Sequence, residues 1–407
     1  MNDAVRAAGG PTGRVEITML YAAGLFQGLS LVAFPAAASI LTDASGYGLS
    51  KGEYGLLFLP QVVCAVAASL AVPALSRRVG LQLLLVAGLA ANLASMTLLA
   101  ASDTVRTAGA AHPVLLVATS LLGLGFGLTL PTLSTAVGGL RPQRRAVALT
   151  ALNVMLGLGT ALSPLLVALF TELAEWWLLP LLCAVGLGVV GGAAVLRPIE
   201  APPGSGAPRD GAQVPRLFWL FAGAVLAYGV AETMFGNWGT TLLRDAGVGA
   251  GTANYALAAF WASVTGGRLL IALAPRSLPS TWVYVALPWA VAAVLALAAS
   301  TSGGAAGVLV FAAGGLACSG FFPMSIGYGE ATFPDLVELS AGWLVAAYQV
   351  GYGLAAFGTG ALQPDASLGT VFRVAAVVAV GMAVAAVPIA RRQHDRSRPG
   401  AALPARA

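Results

Sequence analysis

Residues 216–245 read RLFWLFAGAVLAYGVAETMFGNWGTTLLRD, and this stretch decides the fold. It is apolar, carries a charge at each end, and is long enough to cross a bilayer as a tilted helix. Glu232 lies near its middle, out of reach of either membrane surface. A carboxylate in hydrocarbon is costly, so a chain that keeps one there usually needs it for transport or proton movement. The alternative is a protonated Glu232 that holds a neighbouring helix by a hydrogen bond.

The composition of the whole chain is that of a membrane protein with many spans. Hydrophobic residues make up 58% and charged residues 9% of its 407 positions, with a mean hydropathy of +0.85. Soluble domains carry about 25% charged residues. The three cysteines are far apart in apolar runs, so we expect no metal site and no cofactor.

Twelve apolar segments, numbered spans 1 to 12 in chain order, predict an all-α membrane protein with twelve transmembrane helices. The first six cover about 17–41, 54–74, 81–101, 113–137, 146–171 and 176–196, and the second six about 216–243, 253–274, 281–300, 305–329, 339–362 and 368–390.

The Pro-, Gly- and Ala-rich stretch 197–215 separates the two sets of six and predicts an unstructured linker. The predicted domains are therefore an N-terminal six-helix bundle (1–196), this linker, a C-terminal six-helix bundle (216–391) and a disordered tail (392–407).

Seventeen of the 21 basic residues fall on one side of the membrane if the chain is threaded through these spans, namely the side of the linker and both termini. Basic residues favour the cytoplasmic side, so both termini are predicted to be cytoplasmic in the plasma membrane. The net charge of +5 thus reports orientation and does not indicate a nucleic-acid partner.

The two sets of six also resemble each other. Asp43 and Asp245 end the first and seventh spans, and Pro131 and Pro323 occupy matching positions in GLGFGLTLPTL and GGLACSGFFPMS. Because each half has an even number of spans, the repeats are parallel, which suggests two bundles that rock about a central site.

These features make the chain similar to the major facilitator superfamily of secondary transporters. The loop PALSRRVGLQ (73–82) keeps the Arg78 and Gly80 of that family's signature but has Arg77 in place of its Asp. The resemblance implies two pseudo-symmetric bundles and alternating access, with a cytoplasmic gating network that is wired differently here. We expect Arg78, Arg268 and Glu330 to belong to that network; for Arg268 the alternative is a side chain that reaches the lipid headgroups.

Within that superfamily, YGVAETMFGNW (228–238) and FWASVTGGRLL (260–270) are similar to the fucose-permease-like group. This resemblance implies proton-driven uptake of a sugar-like solute by a transporter, with Glu232 as the proton-coupling group. The first half contains no matching intramembrane acid.

Polar and aromatic side chains inside the spans are the candidates for substrate binding. Tyr228 lies four residues before Glu232 on the same helix face, whereas Asn237 lies about 140° away, so Asn237 shares a cavity with Glu232 only if the helix is distorted near Gly236. The remaining candidates are Gln27, Asn153 and Gln349, as hydrogen-bonding amides, and Trp261, Tyr348 and Tyr352, as aromatics that stack on a sugar. Interhelical hydrogen bonding is the alternative for each amide, and simple packing for each aromatic.

Three other classes of protein are the alternatives to sugar uptake. An intramembrane enzyme is disfavoured because the only histidines, His112 and His394, lie outside the spans, and because no phosphate-binding glycine loop occurs. A proton-coupled efflux pump remains an alternative, since span 5 partly matches the glycine-rich motif of antiporters. A binding or scaffold protein that has lost transport is the third. The predicted partners are a small solute, protons and the bilayer, and the protein is expected to be a monomer.

Overall fold

The structure, a computed structural model, describes residues 11–108, 110–173, 175–197, 215–273, 280–333, 337–363 and 365–397. Helices occur at all twelve predicted spans, and these residues contain no strand. Eleven of the helical segments are long and apolar enough to cross a membrane, and the helix Val337–Leu362 occupies the remaining predicted span. The chain is therefore an all-α, multi-pass membrane protein.

In the first half the helices are Pro11–Ala36 with Ala38–Thr42 (span 1), Lys51–Leu56 with Phe58–Val79 (span 2), Leu81–Ala101 (span 3), Ala111–Leu140 (span 4), Arg145–Glu172 (span 5) and Leu178–Leu196 (span 6). In the second half they are Arg216–Asp245 (span 7), Ala250–Leu273 (span 8), Ser280–Ala298 (span 9), Gly304–Cys318 with Phe321–Thr332 (span 10), Val337–Leu362 (span 11) and Leu368–Ser397 (span 12).

Local sequence explains several of the helix ends. Ser50 accepts a hydrogen bond from the backbone N–H of Glu53, whose carboxylate accepts one in return from the Ser50 N–H, so a reciprocal cap starts span 2. Gly80 ends the same span with φ of +85°, a left-handed conformation that glycine adopts without a steric penalty. Span 3 begins at the next residue, so most of the 73–82 stretch is helical and the turn is confined to Gly80.

The helix packing of one half recurs in the other with six added to each span number. Span 1 packs on span 5, span 2 on span 4 and span 3 on span 6; likewise 7 packs on 11, 8 on 10 and 9 on 12. The halves meet where span 2 packs on span 11 and span 5 on span 8, which are again equivalent pairs. The molecule is therefore a pair of pseudo-symmetric six-helix bundles.

Glycines permit the closest of these crossings. A Cβ on Gly28 of span 1 would collide with the Leu156 carbonyl of span 5, and one on Gly229 of span 7 with the Tyr348 carbonyl of span 11. Helices in lipid gain little from hydrophobic burial against each other, so such backbone approach is how they associate.

The ends of the spans define two opposite faces of the molecule. The linker side is the face where span 6 ends and span 7 begins, and the far side is the opposite one. All of the linker except Arg197 and Pro215 lies outside the described residues.

The end of span 12 departs from the sequence-based expectation. Its helix continues to Ser397, so 392–397, predicted as part of a disordered tail, is helical. The Gln393 amide donates to the Tyr328 carbonyl (3.0 Å) and to the Thr332 hydroxyl (2.6 Å), which holds this extension on span 10. The rest of the predicted tail lies outside the described residues.

Candidate functional site

A cavity lies between the two halves at the level of Glu232. Spans 1, 2 and 4 contribute a mostly apolar wall with one amide, that of Gln61. Spans 7, 8 and 11 contribute the polar wall, formed by Glu232, Asn237, Trp261, Tyr348, Gln349 and Tyr352. The cavity therefore has one apolar and one hydrogen-bonding face, an arrangement suited to a small ligand with apolar and polar edges.

Two phenols hold the carboxyl group of Glu232, which is only 4% exposed. The Tyr228 hydroxyl lies 2.6 Å from Oε1 and the Tyr348 hydroxyl 2.6 Å from Oε2. Tyr228 is one turn earlier on span 7, whereas Tyr348 comes from span 11. No salt bridge joins Glu232 to any basic side chain within the described part of the chain.

The Tyr228 hydroxyl has a second acceptor besides Glu232. It also lies 2.8 Å from the carbonyl oxygen of Cys318 on span 10. The two phenols supply two protons to three oxygen–oxygen contacts. The single proton of Tyr228 is therefore shared between the Glu232 carboxyl group and the Cys318 carbonyl, unless Glu232 supplies a proton of its own.

Arg268 approaches the same region from span 8. Its Nε donates to the carbonyl oxygen of Ser319 at 3.3 Å, next to the Cys318 carbonyl that faces Tyr228. The side chain is half-buried and points towards span 10. This bond holds one side of the guanidinium on a backbone carbonyl of span 10.

Asn237 makes two hydrogen bonds beside the cavity. Its side-chain amide donates to the Tyr352 hydroxyl of span 11 at 3.2 Å, and its backbone carbonyl accepts from the Tyr54 hydroxyl of span 2 at 3.2 Å. The second of these bonds joins the two halves.

Two polar groups in the cavity wall have no hydrogen-bond partner, namely the carbonyl oxygen Oε1 of Gln61 and the indole Nε1 of Trp261. Gln61 is only 4% exposed. A buried, unpaired polar group costs about 1–3 kcal/mol, so a ligand that pairs with it recovers that energy. The cavity thus offers one free acceptor and one free donor.

The cavity is closed towards the far side. Lys51 of span 2 forms a salt bridge with Asp245 of span 7 at 2.5 Å. Beneath it, a Cβ on Gly55 would lie 2.8 Å from the Cα of Gly360, so spans 2 and 11 touch backbone to backbone. The Tyr54 hydroxyl adds a hydrogen bond to the carbonyl oxygen of Asn237 at 3.2 Å.

The predicted substrate-binding residues fall into two groups. Asn237, Trp261, Tyr348, Gln349 and Tyr352 line the cavity together with Glu232. Gln27, Asn153 and Tyr228 do not.

Each of the three outlying residues has another partner. The Gln27 carbonyl accepts from the Asn92 amide at 2.7 Å, a buried link from span 1 to span 3. Asn153 is exposed and donates to the Leu149 carbonyl of its own helix at 3.0 Å. Tyr228 is fully buried behind Glu232, so it acts on the carboxyl group and does not face the cavity. For Gln27 and Asn153 the structural reading fits better than ligand contact.

Asn237 shares the cavity with Glu232 without the predicted helix distortion, because span 7 is one continuous helix. The intervening face carries Gly236, whose missing side chain lets the Trp261 ring come within 3.1 Å of where a Cβ would be. The cavity therefore extends over the whole arc of about 140° between the two side chains.

The three residues predicted for gating are not brought together. Arg78 and Glu330 are both exposed at the ends of their helices, and neither forms a salt bridge with another described side chain. Arg268 lies deeper, against span 10.

Gln61 is the site residue that sequence reasoning missed. Its signal was present, since it is a glutamine inside the apolar run FLPQVVCAV of span 2. Thr233 and Phe126 also line the cavity, and neither has a pattern that would single it out.

Comparisons with known proteins agree with this architecture. A family model described as the Major Facilitator Superfamily matches residues 20–313. A solved structure of a mutant of the nucleoside transporter NupG is similar with a TM-score of 0.73 at 12% identity, covering 92% of this chain and 99% of that one. A D-xylose-proton symporter is similar with a TM-score of 0.74 at 12% identity, covering 92% and 97%. No curated protein sequence matches.

Proposed function

This chain belongs to the Major Facilitator Superfamily, and on that premise we propose that it takes up a small, neutral, sugar-like solute together with protons by alternating access. It is a secondary transporter and not an enzyme. The proposal concerns the kind of solute, the coupling ion, the direction and the residues that carry each role.

The observation that carries the proposal is the buried carboxyl group of Glu232 in the wall of the cavity between the halves. The carboxyl group lines the cavity together with Asn237 and Tyr352, which are hydrogen-bonded to each other. Gaining or losing its proton changes the charge of the cavity by one unit. Because a charge in this interior is costly, protonation and substrate binding can favour the same conformation.

Neutral, hydroxyl-bearing ligands fit the cavity best. Among its described lining residues, Glu232 is the only carboxylic acid and no basic side chain is present. The free acceptor on Gln61 and the free donor on Trp261 match the two capacities of a hydroxyl group. The similar transporters are named for a nucleoside and for D-xylose, both of which carry hydroxyl groups.

The distribution of basic residues between the two faces predicts the orientation of the protein in the membrane. With the linker side cytoplasmic, the Lys51–Asp245 salt bridge and the Gly55–Gly360 contact close the route to the outside. Alternating access requires these far-side contacts to break before solute can pass to or from the outside.

The experiment uses purified protein reconstituted into liposomes. A thermal-shift screen of sugars, polyols and nucleosides first identifies a ligand, because binding to the folded state raises the melting temperature. Uptake of that ligand is then measured with and without an inward proton gradient. Accumulation that depends on the gradient supports the proposal, whereas gradient-driven expulsion would instead favour the efflux alternative.

Glu232→Gln is the decisive variant, because the amide keeps the shape and can donate to Tyr228 but cannot release a proton. It should abolish gradient-driven accumulation while energy-independent exchange and ligand binding persist. Undiminished accumulation in this variant would show that Glu232 is structural and that the proton is carried elsewhere.

A further inference from the structure

Span 10 is broken close to Glu232, and the sequence explains the break. The first helical segment ends at Cys318 and the second begins at Phe321. Pro323 has no N–H to bond to the carbonyl four residues earlier, and its ring clashes with that carbonyl, which belongs to Ser319. Arg268 of span 8 supplies the missing donor at 3.3 Å.

The equivalent position in the first half shows what is particular to span 10. Pro131 of span 4 frees the Gly127 carbonyl, and Ser69 of span 2 donates to it at 3.3 Å. In both halves a side chain from the equivalent neighbouring span therefore replaces the lost backbone donor. Span 4 nevertheless stays one continuous helix, Ala111–Leu140. The break in span 10 differs in having a second contact, from Tyr228 to the Cys318 carbonyl.

We propose that Tyr228 relays the protonation state of Glu232 to the break in span 10. The proposal rests on Glu232 being the coupling group. When Glu232 is protonated, it donates to Tyr228, and Tyr228 is free to donate to the Cys318 carbonyl. When Glu232 loses its proton, the single proton of Tyr228 turns to the carboxylate, which is the stronger acceptor.

The Cys318 carbonyl then loses its donor and faces the lone pairs of the Tyr228 oxygen at 2.8 Å. Two acceptors at that distance repel each other, and a buried carbonyl without a donor costs free energy. Deprotonation therefore weakens the contact between span 7 and the break, and span 10 can change its bend. The proton leaves Glu232 as H⁺ to water on the open side, so no other bond is made or broken.

The Tyr228 ring also packs on the second helical segment of span 10, so a movement of Tyr228 would be transmitted to that segment. Its ring lies 5.9 Å from those of both Phe321 and Phe322, with interplanar angles of 24° and 9°. These are the first two residues after the break. Replacing Tyr228 by Phe keeps this packing and removes only the hydroxyl.

The other ionisable groups around Glu232 do not perform the same relay. Tyr348 donates to Oε2 and contacts no carbonyl of span 10 within the described residues, and Tyr352 lies next to Tyr348 in electrostatic range. Arg268 and the Cys318 thiol are the remaining groups in electrostatic contact with Tyr228. Arg268 keeps its charge throughout, so it attracts the carboxylate without itself reporting the proton. Among the described residues, spans 1, 2 and 4 contribute no ionisable side chain to the cavity wall.

The test is hydrogen–deuterium exchange of purified full-length protein in lipid nanodiscs at pH 5.5 and pH 8.5, corrected for the intrinsic rate at each pH. The segment to follow is 314–328 around the break, with 123–137 of span 4 as the internal reference. In the wild type, protection of 314–328 should fall roughly tenfold on raising the pH, the order expected for losing one buried hydrogen bond. Span 4 should not change.

Three variants separate the relay from its alternatives. Tyr228→Phe and Glu232→Gln should each reduce the change at 314–328 to less than about threefold, because the first removes the switched hydroxyl and the second removes the proton whose loss switches it. Tyr348→Phe removes the matched hydroxyl on Oε2 and should keep the full change. Melting temperatures check that each variant is folded; should Tyr228→Phe fail to fold, the contrast between Glu232→Gln and Tyr348→Phe still decides.

Three results would overturn the relay while leaving proton coupling by Glu232 intact. The first is a full pH-dependent change in the protection of 314–328 in Tyr228→Phe. The others are the absence of that change in Tyr348→Phe or in the wild type. A wild-type response in Glu232→Gln would instead remove Glu232 as the titrating group. In that case the proposed coupling and the relay fall together.

Discussion

Around Glu232, we propose that a proton is exchanged by rotation of hydroxyl groups in place. The carboxyl group is flanked by Tyr228 and Tyr348 at 2.6 Å each, so either charge state finds donors without moving a helix. The protonated and deprotonated states differ in whether the Cys318 carbonyl has a hydrogen-bond donor. A buried acid held in this way can bind and release a proton while the distant parts of the molecule sense the difference.

Arg268 should contribute to the stability of the protein through its hydrogen bond to the Ser319 carbonyl. Arg268→Leu leaves the Ser319 carbonyl without a donor, which should lower the free energy of unfolding by about 1–3 kcal/mol. The melting temperature in detergent, measured against wild type, gives the result. Arg373→Leu is the control, because Arg373 is exposed. Equal melting temperatures for the two variants would mean that the Ser319 bond contributes nothing.

Trp261 should matter for binding more than for stability. Its Nε1 has no partner in the cavity wall, so Trp261→Phe removes an unsatisfied donor together with part of the ring. We expect a nearly unchanged melting temperature and an apparent KM for uptake about tenfold higher, equivalent to one lost hydrogen bond. The exposed Trp282 of span 9, changed to Phe, is the control. An unchanged KM in Trp261→Phe would exclude ligand contact by the indole N–H.

At the scale of elements, one of the two places where the halves meet is the crossing of spans 2 and 11. Their backbones touch at Gly55 and Gly360, and the Lys51–Asp245 salt bridge lies over that crossing on the far side. An exposed salt bridge contributes about 0–1 kcal/mol, so the glycine contact is the more important part of this closure. Because this crossing requires glycine at both positions, we expect a larger side chain at Gly55 to push the two helices apart.

Gly55→Val should therefore favour the form that is open on the far side. The added side chain would overlap the Gly360 backbone, whereas Gly358→Val on span 11 meets nothing within 4 Å and is the control. The measurement is the distance between spin labels on cysteines placed at positions 45 and 249 in a background free of native cysteines. The distance should increase by on the order of 5 Å in Gly55→Val. An identical distance in both variants would contradict this role of the crossing.

For the whole molecule, we propose that residues 1–196 and 216–391 move as two bodies connected by the 197–215 linker. The paired crossings 2 with 11 and 5 with 8 are equivalent under the internal repeat, so one can close as the other opens. The cavity lies between them, and Glu232 in its wall belongs to the second body only.

The orientation of the molecule has a direct test. Ser205→Cys in the linker should react with a membrane-impermeant thiol reagent only when that reagent is given access to the cytoplasm. Ser45→Cys on the far side should react from outside in intact cells. Labelling of Ser205→Cys from outside would reverse the assignment of the two faces, and with it the direction of the cavity.

The sequence alone determined the twelve helices, because a chain in lipid must satisfy its backbone hydrogen bonds within each span, and hydropathy is a local property. It also determined the pairing of Tyr228 with Glu232, since four residues separate them on one helix face.

The tertiary structure decided which polar side chains share a space. Gln27 pairs with Asn92, Tyr348 reaches Glu232, and Gln61 enters the cavity because of which helices cross and at what height. Those crossings depend on glycines that fit against a particular neighbour, such as Gly229 against the Tyr348 carbonyl. A local pattern does not contain that neighbour, so the partner of Glu232 on span 11 and the partner of Tyr228 on span 10 appear only once the helices are packed.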